Sequence, residues 1–315
     1  MRRHVVALGG GHGLAASLSA LRHVTDSVTA IVTVADDGGS SGRLRQQYDI
    51  LPPGDLRMAL AALCDDSEWG HLWGDVLQHR FGGEGDLAGH AVGNLLIVGL
   101  WDLLGDAVSG LDLVGRLLGA RGRVLPMASV PLTIMADVAG LDPQDPEAIT
   151  LVRGQAEVAT APGRVKEIRL EPAQPPATPE ALRALREADW VVLGPGSWYT
   201  SVMPHLLVPQ LAEALRDTPA MRLLTLSLEM STSETEGYSA AEHLESLRMH
   251  APDVNIDVIL ADPCVVDDPA ELEVHARRLG AELAVMPVAR TDAPGHHDPL
   301  RLAAAYRDIM GRQPG

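Results

Sequence analysis

Aromatic residues are scarce, at 3% of 315 residues, and Phe81 is the single phenylalanine. That excludes the stacking platform on which single-stranded nucleic acid is bound. Basic charge is also short: 25 Lys and Arg stand against 42 Asp and Glu, a net charge of −17. A surface of that sign repels phosphate backbones and anionic lipid, so nucleic acid is not an expected partner. Lys166 is the one lysine, and the other basic residues are arginine, a pattern of codon usage more than of chemistry. The two cysteines, Cys64 and Cys264, form no CxxC pair, which excludes a disulfide framework and fits a reducing cytoplasm. The longest strongly apolar run, 95–101, is too short to cross a membrane, and the apolar stretch after Met1 is too short for a signal-peptide core. The expectation is a cytoplasmic protein with no membrane insertion. GxxxxGK[ST], HExxH, GxSxG and a cysteine quartet are all missing, which removes P-loop ATPase, zinc protease and α/β-hydrolase readings. His296, His297 and Asp298 are adjacent, and neighbours in sequence rarely converge on one metal.

What is present is an α/β rhythm. Residues 5–8 form a short apolar run ending in glycine, 14–24 carry leucines at helical spacing, and 28–34 are β-branched. Strand, glycine turn, helix and strand within about 30 residues make a βαβ unit. The segment at about 54–120 reads as mostly helical, with 91–104 its clearest helix. Two short strands are expected around Pro131, and strand-like alternation runs over 152–170. The proline-rich stretch 171–179 reads as a loop more than a linker. Strands then alternate with helices to 310. One domain over 1–315 is expected, a three-layer fold with a mostly parallel central sheet. Ligands on such sheets sit at the C-terminal strand ends.

Five segments carry chemistry. Gly10, Gly11, His12 and Gly13 lie between the first strand and the first helix, where backbone N–H groups and the helix dipole suit a phosphate. The spacing also fits a loose GxGxxA dinucleotide fingerprint, with Asp36 as the ribose acid, which makes NAD a lesser alternative; a tight turn without a ligand is the other. Asp36, Asp37, Gly38, Gly39, Ser40, Ser41, Arg43 and Arg45 follow the second strand. The two aspartates could hold Mg²⁺, and the arginines could clamp a diphosphate. Asp55 is either a helix cap or part of the same site, with Arg57 reaching the same anion. His90 and Asn94 share a helix face, as a core pair or as ligand contacts. Gly194, Gly196, Ser197, Thr200 and Ser201 form a second anion nest after the strand 190–193.

With these segments in view, the chain resembles the YvcK branch of the CofD-like (2-phospho-L-lactate transferase-like) family, also called gluconeogenesis factors. The matching stretches are GGGHGL at 9–14, VTAIVTVADDGGSSGRLR at 28–45, PPGDLR at 52–57, GHAVGNLL at 89–96, RGRVLP at 121–126 and LGPGSWYTSVMPHLLVP at 193–209. The resemblance implies a Rossmann-like CofD fold and a nucleotide-sugar ligand, with UDP-sugars the class implied for this branch. It further implies a part in cell shape and peptidoglycan supply on gluconeogenic carbon, with cell-envelope synthesis regulators or a second copy of the chain as partners. CofD itself transfers a phospholactyl group with Mg²⁺, so Asp36 and Asp37 stand as candidate catalytic residues if the chain is an enzyme. The family usually carries threonine at His12 and serine at Ala91. It also shows a Gln-Pro-Gly before Glu234 that this chain lacks; Ser231, Thr232 and Ser233 stand there.

Overall fold

Val5–Gly9 (β1) is buried at every position, as a strand covered on both faces must be. The computed structural model describes residues 3–229, 233–293 and 295–312, so Ser231 and Thr232 lie outside the described residues. Gly11–Leu21 (α1) leads to Val28–Val32 (β2), again buried throughout. Five helices follow, Gly39–Tyr48 (α2), Pro53–Ala62 (α3), Glu68–Gln78 (α4), Val92–Leu104 (α5) and Ala107–Leu117 (α6), in line with the helical segment expected there. Arg123–Pro126 (β3) then joins β2 in parallel.

The chain next leaves the main sheet. Thr133–Ala139 (β4), Ile149–Arg153 (β5) and Arg164–Glu171 (β6) make a small antiparallel sheet in the order β5-β4-β6. The alternation expected over 152–170 is interrupted, because Gln155–Thr160 (α7) lies between β5 and β6. Gly154, at φ 103, makes the turn, and a distant carboxylate caps the helix, which local periodicity cannot register. The 171–179 stretch is a loop tied at several points: Ser129 N–H donates to the Pro176 carbonyl and Ala177 N–H to Gln210.

Pro179–Arg186 (α8) returns the chain to Trp190–Leu193 (β7), which pairs with the free side of β1. Pro204–Leu207 (α9), Pro209–Asp217 (α10), Met221–Thr225 (β8), Ala240–His250 (α11), Val258–Ala261 (β9), Pro269–Arg278 (α12), Glu282–Val285 (β10) and Pro299–Gly311 (α13) complete the fold. The central sheet has seven parallel strands in the order β10-β9-β8-β7-β1-β2-β3. Strand order reverses between β1 and β7, and that is where a doubly wound sheet opens a crevice. On the other side of α1, Ser17 Oγ meets the Tyr306 hydroxyl at 2.9 Å, and Tyr306 meets Thr225 Oγ1 at 3.1 Å. Burial pushes the Tyr306 phenol up to about 12, so the relay stays neutral.

Candidate functional site

Four helical N-termini are set by the loops that follow β1, β2, α2 and β7. Gly10 caps α1, Gly38 caps α2 and Pro52 caps α3, none with a side-chain hydrogen bond. The fourth is a π-helix, Trp198–Val202, after Gly194 and Gly196. The first turns of α1 and α2 contain no acid of their own, although Asp55 meets the Gly11 N–H and Asp36 the Gly38 N–H from outside them.

The two glycine loops meet. A Cβ on Gly13 would stand 2.2 Å from the Pro195 carbonyl oxygen and 2.7 Å from Gly196 Cα. Gly10 is as crowded, with Thr33 Cγ2 at 2.4 Å and Asp55 Oδ2 at 2.5 Å from the same position. Gly11 and Gly196 hold φ of +57 and +148, backbone that favours glycine. His12 and Ser197 are exposed at the two rims, whereas Thr200 and Ser201 turn inward and are buried.

The aspartates separate. Asp37 accepts the N–H groups of Gln155 and Ala156, each at 3.0 Å, and so caps α7 from the other sheet. Asp36 accepts the Gly38 N–H at 3.0 Å. Its second oxygen lies 2.7 Å from where a Gly54 Cβ would be, which places it at the start of α3 beside Asp55. Burial pushes the Asp55 carboxyl up to about 7, the Asp36 charge adds to that, and the Gly11 N–H opposes it. Removing the α7 cap in Asp37→Ala is expected to cost about 1–2 kcal/mol. Urea unfolding checks this; an unchanged midpoint would mean the cap contributes nothing.

The hydroxyls and arginines form a wall behind the loops. Ser41 Oγ accepts the Gly54 N–H at 3.0 Å, locking α2 onto α3. Ser40 Oγ accepts from Asn94 Nδ2 at 3.0 Å and meets His90 Nδ1 at 2.9 Å. Asn94 Oδ1 in turn accepts from Arg57 Nε at 2.9 Å, and Arg57 also donates to Gln78. Burial lowers the Arg57 guanidinium to about 10. His90 precedes α5, whose cap is Ala91, so it and Asn94 are joined by Ser40 and not by a shared helical face. Arg45 donates to the carbonyls of Ala35, Asp36 and Leu132, and Arg43 to those of Ala88 and Asp86. Arg43, Arg45 and Arg57 therefore brace the loops from behind.

Two residues here were not among the expected site residues. Glu234 is 1% exposed, accepts the Tyr199 N–H at 3.1 Å, and burial pushes its carboxyl up to about 7. Its Oε2 has no partner among the described residues. Thr33 is likewise buried beside Gly10, with its Oγ1 unpaired among the described residues.

The family model described as 2-phospho-L-lactate transferase CofD matches residues 5–291. A "Putative gluconeogenesis factor" of Mycobacterium tuberculosis H37Rv is 54% identical over 314 residues, covering 99% of this chain and 91% of the relative. The "Gluconeogenesis factor" of Bacillus subtilis 168 is 39% identical over 258 residues, covering 82% and 78%. Among solved structures, a UPF0052 family protein of Bacillus halodurans superposes with a TM-score of 0.83 at 33% identity, covering 97% of this chain and 98% of that one.

Proposed function

Because this chain belongs to the CofD family, within its group of gluconeogenesis factors, we propose that it binds a nucleotide diphosphate sugar, a UDP-sugar, in the β1–β7 crevice. The observation that carries this reading is the meeting of two glycine loops at the strand-order reversal, beside two helix N-termini whose cap residues are glycine and carry no side chain. Backbone amides held this way suit a diphosphate, and no lysine or mobile arginine is needed. The bound state acts as a signal for cell-envelope supply on gluconeogenic carbon, without turnover.

A transferase in the manner of CofD is the second reading, and Asp36 beside Asp55 favours it. Those two carboxylates fit Mg²⁺, which needs only one or two. Asp37 fits less well, since both its oxygens serve α7. When bound, Mg²⁺ would neutralise charge on the phosphates. The chain's own part would be to orient the diphosphate on the loop amides and to hold Asp36 against Gly38.

A thermal-shift and calorimetry panel of UDP-, GDP-, ADP- and NAD-containing ligands, with and without Mg²⁺, separates these readings. UDP-sugar binding without consumption is expected. Mg²⁺-dependent consumption of a nucleotide diphosphate ester would establish the transferase, and preference for NAD would overturn both. Failure of a crevice variant to restore cell shape on gluconeogenic carbon tests the regulatory role.

A further inference from the structure

Beyond the crevice, between α2, α5 and the start of α6, lies a cavity of about 660 Å³. Its floor is apolar: Leu44, Leu51 and Trp101 are buried there, with Leu95 and Val98 partly covered. Its rim carries Asp49, Asp86, Asp102 and Asp106, and no Lys or Arg lines it among the described residues. Asp106 accepts the Ser109 N–H, whereas the carboxylates of the other three have no hydrogen bond or ion pair among the described residues. Arg43, the guanidinium near this rim, already donates to the Asp86 and Ala88 carbonyls.

His90 gives the cavity a polar point at depth. It is 7% exposed and lines the wall. Its Nδ1 meets Ser40 Oγ, which also accepts from Asn94 Nδ2, so one edge of the ring is held by the α2 start. The other ring nitrogen, Nε2, has no partner among the described residues. A space of this size, apolar with few polar points, is the usual form of a small-molecule site.

We infer that this cavity is a second binding site, for a small amphipathic organic cation that rests its apolar body on Leu95, Val98 and Trp101. The cationic group sits among the rim carboxylates, and one polar atom of the ligand pairs with His90 Nε2. The ring of His90 joins this site to Ser40 in the first turn of α2.

The test uses the full chain and two fluorescent probes, the planar cation proflavine and the apolar anion 1-anilinonaphthalene-8-sulfonate. Saturable proflavine binding at one site is expected, at least about tenfold tighter than the anion. A Cβ on Gly99 meets open space, so Gly99→Phe fills the cavity without changing charge. It is expected to weaken proflavine at least about tenfold. Asp102→Arg reverses one rim charge and is expected to do the same, which keeps the test valid if Gly99→Phe fails to fold. Glu273→Gln with Asp292→Asn, distant acids, is expected to leave binding unchanged. Equal binding of both probes, or wild-type proflavine affinity in Gly99→Phe and Asp102→Arg, would mean the dye reads only the general acidity of the surface and would overturn the assignment.

Discussion

Gly13→Ala is expected to weaken nucleotide binding about a hundredfold and to lower stability together. The new methyl carbon would stand 2.2 Å from a backbone oxygen of the opposite loop, and neither partner is the end of a flexible side chain. The two loops must part. Overpacking of that kind costs about 1–3 kcal/mol of stability. The effect on ligand is of similar size, because a cradle of amides displaced by about 1 Å can lose about a hundredfold, about 2.7 kcal/mol. Gly11→Val and Gly196→Val place a side chain where φ is positive and where backbone would meet phosphate; at least a tenfold loss, about 1.4 kcal/mol, is expected of each. Calorimetry on the three variants decides the matter. Wild-type affinity in Gly13→Ala would refute a ligand held between the loops.

Affinity for a nucleotide diphosphate sugar is expected to fall roughly tenfold between pH 6 and pH 8. The ligand has no ionisation in that interval, so the slope belongs to the protein. Asp55 and Glu234 both titrate near 7, each raised chiefly by burial, and they lie by the first and second glycine loops. Ionisation of either adds negative charge beside the diphosphate. The same groups predict a fall in stability as pH rises. Their folded values exceed the ordinary carboxylate values, so the native state holds more protons than the unfolded chain from about pH 4 to about pH 7. Stability declines across that window and levels off above it. Asp55→Asn and Glu234→Gln should each flatten both curves. Mg²⁺ held by Asp36 and Asp55 would reverse the binding slope, since a metal competes with protons for its ligands. Titrations at three pH values, with and without Mg²⁺, distinguish the cases; a flat profile in both would refute the role given to these carboxylates.

The main sheet was legible because its strands are read locally. Val5–Gly9, Val28–Val32 and Trp190–Leu193 are apolar at nearly every position, and glycine or aspartate ends the loops beyond them. The small sheet was less legible, since β5 is mostly exposed and the helix after it is capped by Asp37 from far along the chain. The same distance hid the partner of Asp37. Adjacent residues in one motif serve different neighbours, and a motif does not name its neighbours. Arg45 looked like a phosphate clamp by residue type, but its donors meet three carbonyls that the loop's path brings within reach. Glu234 left no local pattern, because its setting comes from the packing of Tyr199 above it.

The strand at the middle of the sheet, β1, precedes every other described strand in the chain. β1 finds β2 almost at once, but its other edge waits for β7, with all the helices of the crevice wall and the small sheet made in between. α1 waits longer still, since Tyr306 on the last helix closes over Ser17. Pairings this remote in sequence are slow to form and leave apolar edges uncovered while they wait. The β1–β7 crevice is therefore expected to stay open until β7 and α13 have both been made.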